Sequence, residues 1–246
     1  DKNGVIFVWN ISTGKDILRF EGHSSQVNAI DIDSNSRYIV SVACGEHDDT
    51  EAVNCTRGDI ILWDIETGEE IRRFEGHEND VTTIDFDQWG KRLLSGSVDR
   101  TMRLWEVDTG EQRGVYGAHL GKVVDVAFHP LEPNLAVSMA IDTPPVLWDL
   151  DTELEVIRYD AHEVKDEPNL DVGSVAFSPD GSQILGSFGI PIHLWDTETG
   201  ELLQEFLGHG SYVNSVAFSP DGTQALSSAW RENSFRVWNI SNGVEI

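Results

Sequence analysis

From Val213 to Ser219 apolar and polar residues alternate as VNSVAFS, the period-two signature of a strand with one buried face. The same alternation stands at VNAIDID, VTTIDFD, VVDVAFH and VGSVAFS, and a second apolar run such as Arg92 to Ser97 follows each. Between the two runs, Ser178-Pro179-Asp180-Gly181 and Ser219-Pro220-Asp221-Gly222 reverse the chain. In such turns Pro sets φ, Asp caps the backbone locally and Gly accepts a positive φ. A third strand ends on tryptophan in DIILWDIETG, TMRLWEVDTG and PIHLWDTETG, and Thr67-Gly68, Thr109-Gly110 and Thr199-Gly200 turn it into a fourth. No segment sustains a helical period. The pattern predicts an all-β chain of about 21 strands: a leading pair, four sets of four, and a final three.

The tryptophans that end the third strands are Trp9, Trp63, Trp105, Trp148, Trp195 and Trp238, at steps of 54, 42, 43, 47 and 43 residues. Gly22-His23, Gly76-His77, Ala118-His119, Ala161-His162 and Gly208-His209 recur in phase with them. Three independent markers in five in-phase copies establish a repeat. These residues resemble the WD-repeat β-propeller family, over essentially the whole chain. The resemblance implies a propeller of four-stranded antiparallel blades, about five to six of them present, within a seven-bladed or larger ring. Residues 1–246 then form one domain, truncated at both ends: a partial blade at 1–22, repeats at 23–76, 77–118, 119–161 and 162–208, and an incomplete last repeat at 209–246. The resemblance also implies a hydrogen-bonded tetrad of loop His, second-strand Ser, hairpin Asp and third-strand Trp. Two repeats carry it whole, as His77, Ser95, Asp99 and Trp105 and as His119, Ser138, Asp142 and Trp148. The repeat ending at Trp195 has Gly189 where the Asp should stand, and the one ending at Trp238 has an extra hairpin residue, so both are expected to be looser at that end.

Charge narrows the function classes. The 17 basic against 43 acidic residues give a net charge of −26, which repels phosphate backbones and anionic lipid, so nucleic acid is not an expected partner. No stretch reaches 18 consecutive apolar residues, which excludes a membrane-spanning helix. Recurrent His, Ser and Asp invite a hydrolase reading, yet catalysis needs one activated nucleophile, and a trio repeated blade after blade suits a structural network. No catalytic residue and no cofactor is expected. Asp31 to Asn35 superficially matches a calcium loop, but Ser36 replaces the Gly and Val42 the Glu that such a loop requires. Asp31 and Asp33 are read as solvent-facing strand residues, His129 and His193 as surface or rim histidines, and no metal site is expected.

The long step from Trp9 to Trp63 comes from CGEHDDTEAVNC, bracketed by the chain's two cysteines, Cys44 and Cys55. Paired hairpin arms would bring them within disulfide reach. Two reduced, buried cysteines and a zinc site using His47 are the alternatives. The acidic insertion has little apolar surface to hold itself in place, so a disulfide anchoring its ends is predicted, and with it an extracytoplasmic or extracellular origin.

In the family that this chain resembles, loops on one face commonly carry peptide and protein contacts. Motif positions place Asp80, Lys122, Asp171, Tyr212 and Asn214 beside the first strands, and Phe188 and Trp230 on the hairpins. Trp230 lies outside the repeat set, and with Arg231, Tyr212 and Phe188 it has the composition of an interaction hot spot. The other reading folds Trp230 over its own hairpin to cover the blade edge. The expected function is a non-catalytic scaffold or recognition module for a protein or peptide. The alternative is an assembly element packing against copies of itself or sister subunits.

Overall fold

In the computed structural model, residues 3–48, 54–117, 119–141, 143–160, 173–187, 189–232 and 234–246 are described. Each alternating run becomes a strand, and every turn signal reverses it, so strands pair only with their sequence neighbours and always antiparallel. The chain divides into two compact units, Asp1–Gly117 and Ala118–Ile246. The first holds a pair, β1 (Val5–Trp9) and β2 (Asp16–Glu21), and two four-stranded sheets. These are β3 (Val27–Ile32), β4 (Tyr38–Asp48), β5 (Asn54–Asp64) and β6 (Glu70–Phe74), then β7 (Val81–Phe86), β8 (Arg92–Ser97), β9 (Met102–Glu106) and β10 (Gln112–Tyr116). The second unit holds β11 (Val123–Phe128), β12 (Leu135–Ala140), β13 (Thr143–Asp149) and β14 (Leu154–Arg158). Next come β15 (Ser174–Phe177), β16 (Gln183–Ser187), β17 (Ile192–Asp196) and β18 (Leu202–Phe206), then a three-stranded sheet of β19 (Val213–Phe218), β20 (Gln224–Ala229) and β21 (Phe235–Asn239). Among the described residues there is no helix, and so none long and apolar enough to cross a membrane.

Within each unit the sheets pack face to face, because alternation gives each an apolar side that one sheet cannot bury alone. In the first unit, Val40, Val42, Ile60, Leu62 and Phe74 meet Val81, Ile84, Phe86, Leu93 and Trp105. In the second, Val137, Leu147 and Tyr159 meet Val175, Ile184 and Trp195, and Leu194 and Phe206 meet Val216 and Trp238. Each such side chain contributes roughly 1.5–3 kcal/mol on leaving water. The first strands run side by side, β3 against β7 and β11 against β15 against β19. Asp31 and Asp125 stitch them: Phe86 N–H donates to Asp31 at 2.7 Å, and Val175 N–H donates to Asp125 at 2.9 Å.

The insertion differs from the expected loose loop. β4 and β5 each run for 11 residues and pair out to Asp48 and Asn54, so both cysteines lie inside a lengthened hairpin rather than at its ends. Cys44 and Cys55 form a disulfide, their Cα atoms 5.7 Å apart, which excludes the reduced and zinc-bound alternatives. Arg57 lies 3.2 Å from Glu46 across this hairpin.

Candidate functional site

Each network joins a Ser and a Trp on the second and third strands of one sheet to a His in the loop before its first strand. In β8, Ser95 is fully buried and its oxygen takes the indole N–H of Trp105 at 2.8 Å. His77 Nε2 lies 2.7 Å from the same oxygen and Nδ1 lies 2.7 Å from Asp99. One pattern of protons satisfies all four groups: Trp N–H donates to Ser, Ser O–H to Nε2, and Nδ1–H to the carboxylate. It requires a neutral imidazole, and burial does hold His77 below its ordinary value against the pull of Asp99. Burial would raise Asp99, but hydrogen bonds from His77 and Thr101 outweigh it and keep the carboxyl well below its usual range. In the next sheet, His119 lies 2.6 Å from Ser138, whose oxygen takes the Trp148 N–H at 2.7 Å. Asp142 lies outside the described residues, and Thr143 Oγ stands 3.3 Å from His119 Nδ1. Burial first, then Arg158, pushes His119 down to about 4.

Sequence reading missed two further networks. His23 contacts Ser41 at 2.7 Å and Asp59 at 2.8 Å, and Trp63 donates to Ser41 at 2.8 Å. The insertion hid this one by moving Asp59 18 positions from Ser41. His209 contacts Ser227 at 2.7 Å and Glu232 at 2.6 Å, with Trp238 donating to Ser227 at 2.8 Å. Here an acid one methylene longer spans the extra hairpin residue, so this sheet is not loose, contrary to expectation. The sheet of Trp195 departs further than expected. Gly186, opposite His193, stands at the register of the buried serines, and the Trp195 N–H goes instead to the Asp160 carbonyl at 3.0 Å. A Cβ on Gly186 would come within 2.9 Å of the Trp195 ring.

At the opposite end from the Thr-Gly turns, one backbone bond repeats while its side chains change. Val98 N–H donates to the Asp80 carbonyl, Ile141 N–H to Lys122, and Trp230 N–H to Tyr212, at 2.9, 3.0 and 2.8 Å. Trp230 is 46 % exposed, with the Arg231 guanidinium 4.3 Å above its ring. Asn214 is exposed and accepts from Ser228 at 2.8 Å, and Asp80 accepts from Asn28 at 2.8 Å. Phe188 and Asp171 lie outside the described residues.

Residues 14–64, 68–106 and 200–239 match the family model described as WD domain, G-beta repeat, just over half of the chain. The chain belongs to the WD-domain family. A guanine nucleotide-binding protein subunit beta-like protein of Encephalitozoon cuniculi is 27% identical over 82% of this chain and 64% of its own length. A guanine nucleotide-binding protein subunit beta of Arabidopsis thaliana is 30% identical over 76% of this chain and 49% of its own length. A periodic tryptophan protein 2 homolog of Dictyostelium discoideum is 26% identical over 96% of this chain and 25% of its own length. The chain thus spans from a quarter to just under two thirds of these relatives.

Several polar residues of the WD sheets stand elsewhere than expected. Asp33 is buried, not solvent-facing, and takes the backbone N–H groups of Arg37 and Tyr38 at 2.7 and 2.6 Å. Asp31 is half-buried in its bond to the next WD sheet. His129 and His193 are buried as well, not on the rim. His193 stacks on Trp195 at 5.3 Å and lies 3.3 Å from Glu205. Among the described residues no three His, Cys, Asp or Glu side chains converge to hold a metal.

Proposed function

We propose that this WD protein is a non-catalytic recognition module that binds a protein or peptide through the loop end bearing Trp230. The observation that carries the reading is the half-exposed Trp230 ring, backed by Arg231 on one side. A large rigid apolar ring and a guanidinium at a loop tip are the residue types that dominate binding energy at interfaces. Tyr212 and Asn214 stand beside it, and Lys122 and Asp80 hold the corresponding positions in their own sheets, so one backbone frame displays a different surface in each. The buried serines favour a non-catalytic role, because each oxygen already holds a Trp N–H and a His ring where no substrate could reach it. The relatives' names point the same way, since two are subunits or subunit-like. Nucleic acid is disfavoured by the charge of −26. The Cys44–Cys55 bond fits an oxidising, extracytoplasmic compartment.

The test selects peptides from a displayed library on the intact chain and measures their affinity by calorimetry. Trp230→Ala is expected to weaken binding by at least about 2 kcal/mol, roughly thirtyfold, with unchanged melting temperature. Unchanged affinity would overturn the assignment of the site. A wild-type chain that sediments as a dimer, and as a monomer after Trp230→Ala, would favour self-assembly through this face instead.

A further inference from the structure

A cavity of about 490 Å³ opens in the second unit, at the strand ends away from Trp230, where β11, β15 and β17 finish. Its lining includes the apolar Leu131, Leu147, Val156 and Ile157, of which Leu131 and Val156 are more than half exposed. It also includes four carboxylates, Glu132, Asp180, Asp196 and Glu198. Some acids elsewhere meet arginines, as Asp59 meets Arg73 and Asp87 meets Arg92. Among the described residues, none of these four has a lysine or arginine partner, and Arg158 on adjoining β14 is committed to Glu155 at 2.6 Å. Nor does His129 supply a charge. Its Nδ1 accepts from the Leu131 and Glu132 amides and its Nε2–H donates to the Gly181 carbonyl at 3.1 Å, which uses both nitrogens of a neutral ring.

Thr197 is an independent sign. Two residues after the third-strand tryptophan the other sheets of three or four strands place Ile65, Val107, Leu150 and Ile240, all apolar. The sheet of Trp195 places Thr197 there, 6 % exposed, lining the cavity, with a hydroxyl that has no hydrogen-bond partner among the described residues. A buried hydroxyl without a partner is costly, and a repeat that uses apolar residues at four equivalent positions does not need it for packing.

We propose that this cavity is a second docking site, which receives an arginine side chain of a partner peptide together with a neighbouring apolar residue. The aliphatic stem lies along Val156 and Ile157 and the guanidinium reaches the carboxylates, where charge-assisted and bidentate bonds favour arginine. The apolar neighbour of the arginine covers Leu131, and Thr197 gains the partner that it lacks.

The probe is the peptide acetyl-Leu-Arg-Leu-amide, titrated into the intact chain and followed by methyl resonances of Thr197, Ile157 and Val156. Saturable shifts at these methyls are expected, at least tenfold weaker for the citrulline analogue. Glu132→Lys with Glu198→Lys should raise Kd at least tenfold. The equal reversal Glu66→Lys with Glu69→Lys, neither of which lines the cavity, should change it less than twofold. Thr197→Val should raise Kd at least threefold without lowering the melting temperature, an outcome that a packing role would not produce. Trp230→Ala should leave this binding untouched, which separates the site from the loop end. No shifts at these methyls, equal binding of the citrulline peptide, equal loss from the distant reversal, or full affinity in Thr197→Val would each overturn the proposal.

Discussion

At Ser95 a single hydroxyl oxygen faces both an indole and an imidazole, and only a neutral histidine lets every proton in that chain find an acceptor. Protonating the ring would set Nε2–H against the Ser O–H and leave one donor buried without a partner. Stability should therefore depend on pH in a definite direction. His119 falls from an ordinary 6.5 to about 4 on folding, so between those values the unfolded chain binds more protons than the folded one. Its contribution is complete above pH 6.5 and is lost as pH falls toward 4, by about 3 kcal/mol at that end. Urea unfolding across that window should show the slope, and His119→Gln should flatten it. A flat wild-type profile would mean that the histidines are charged or exposed in the folded protein. At this scale the sequence was legible where the four groups kept their spacing, as at His77. It was not where the acid moved, as at Asp59, or lengthened, as at Glu232.

The turn between third and fourth strands shows what an element asks of one position. Gly68, Gly110, Gly200 and Gly243 occupy it with φ between 69° and 76°, where a Cβ is strained. In the β13–β14 turn Glu153 holds the place at φ 59°. A left-handed conformation costs an L-residue roughly 1–2 kcal/mol. Glu153→Gly, which also loosens the unfolded chain, should then stabilise by about 1 kcal/mol, seen as a higher urea midpoint with unchanged slope. A lower midpoint would show that the glutamate side chain contributes more than its backbone costs. The lengthened β4–β5 hairpin gives a second forecast. Its disulfide closes a loop with a sequence separation of 11, and replacing both cysteines by alanine should cost about 2–3 kcal/mol. Unaltered unfolding would mean that the pairing of β4 with β5 holds the hairpin without help. Sequence placed the cysteines near each other but not inside the ladder, because turn signals mark where a hairpin ends only when the loop is short.

Across the whole chain, a net charge of −26 repels itself most when folded. Surface ion pairs such as Arg19–Asp16 favour low salt, but each contributes only a few tenths of a kcal/mol. Self-repulsion should dominate, so raising NaCl from about 10 to about 150 mM, which cuts the screening length from about 30 to 8 Å, should raise the melting temperature by a few degrees. A falling melting temperature would show that the ion pairs outweigh the excess charge.

Strand order, antiparallel pairing and the tryptophan period were written in the sequence, because alternation and turn chemistry act between residues a few positions apart. The spacing of His77, Ser95, Asp99 and Trp105 was readable for the same reason, since all four lie within one repeat. Tertiary structure decided what depends on a distant strand. It brought Asp59 to His23 across an insertion, buried His193, left Trp230 half in water, and set Thr197 in the lining of a cavity whose four carboxylates have no lysine or arginine partner among the described residues. Burial and hydrogen-bond partners are set by which surfaces meet in space, and no local period along the chain encodes that meeting.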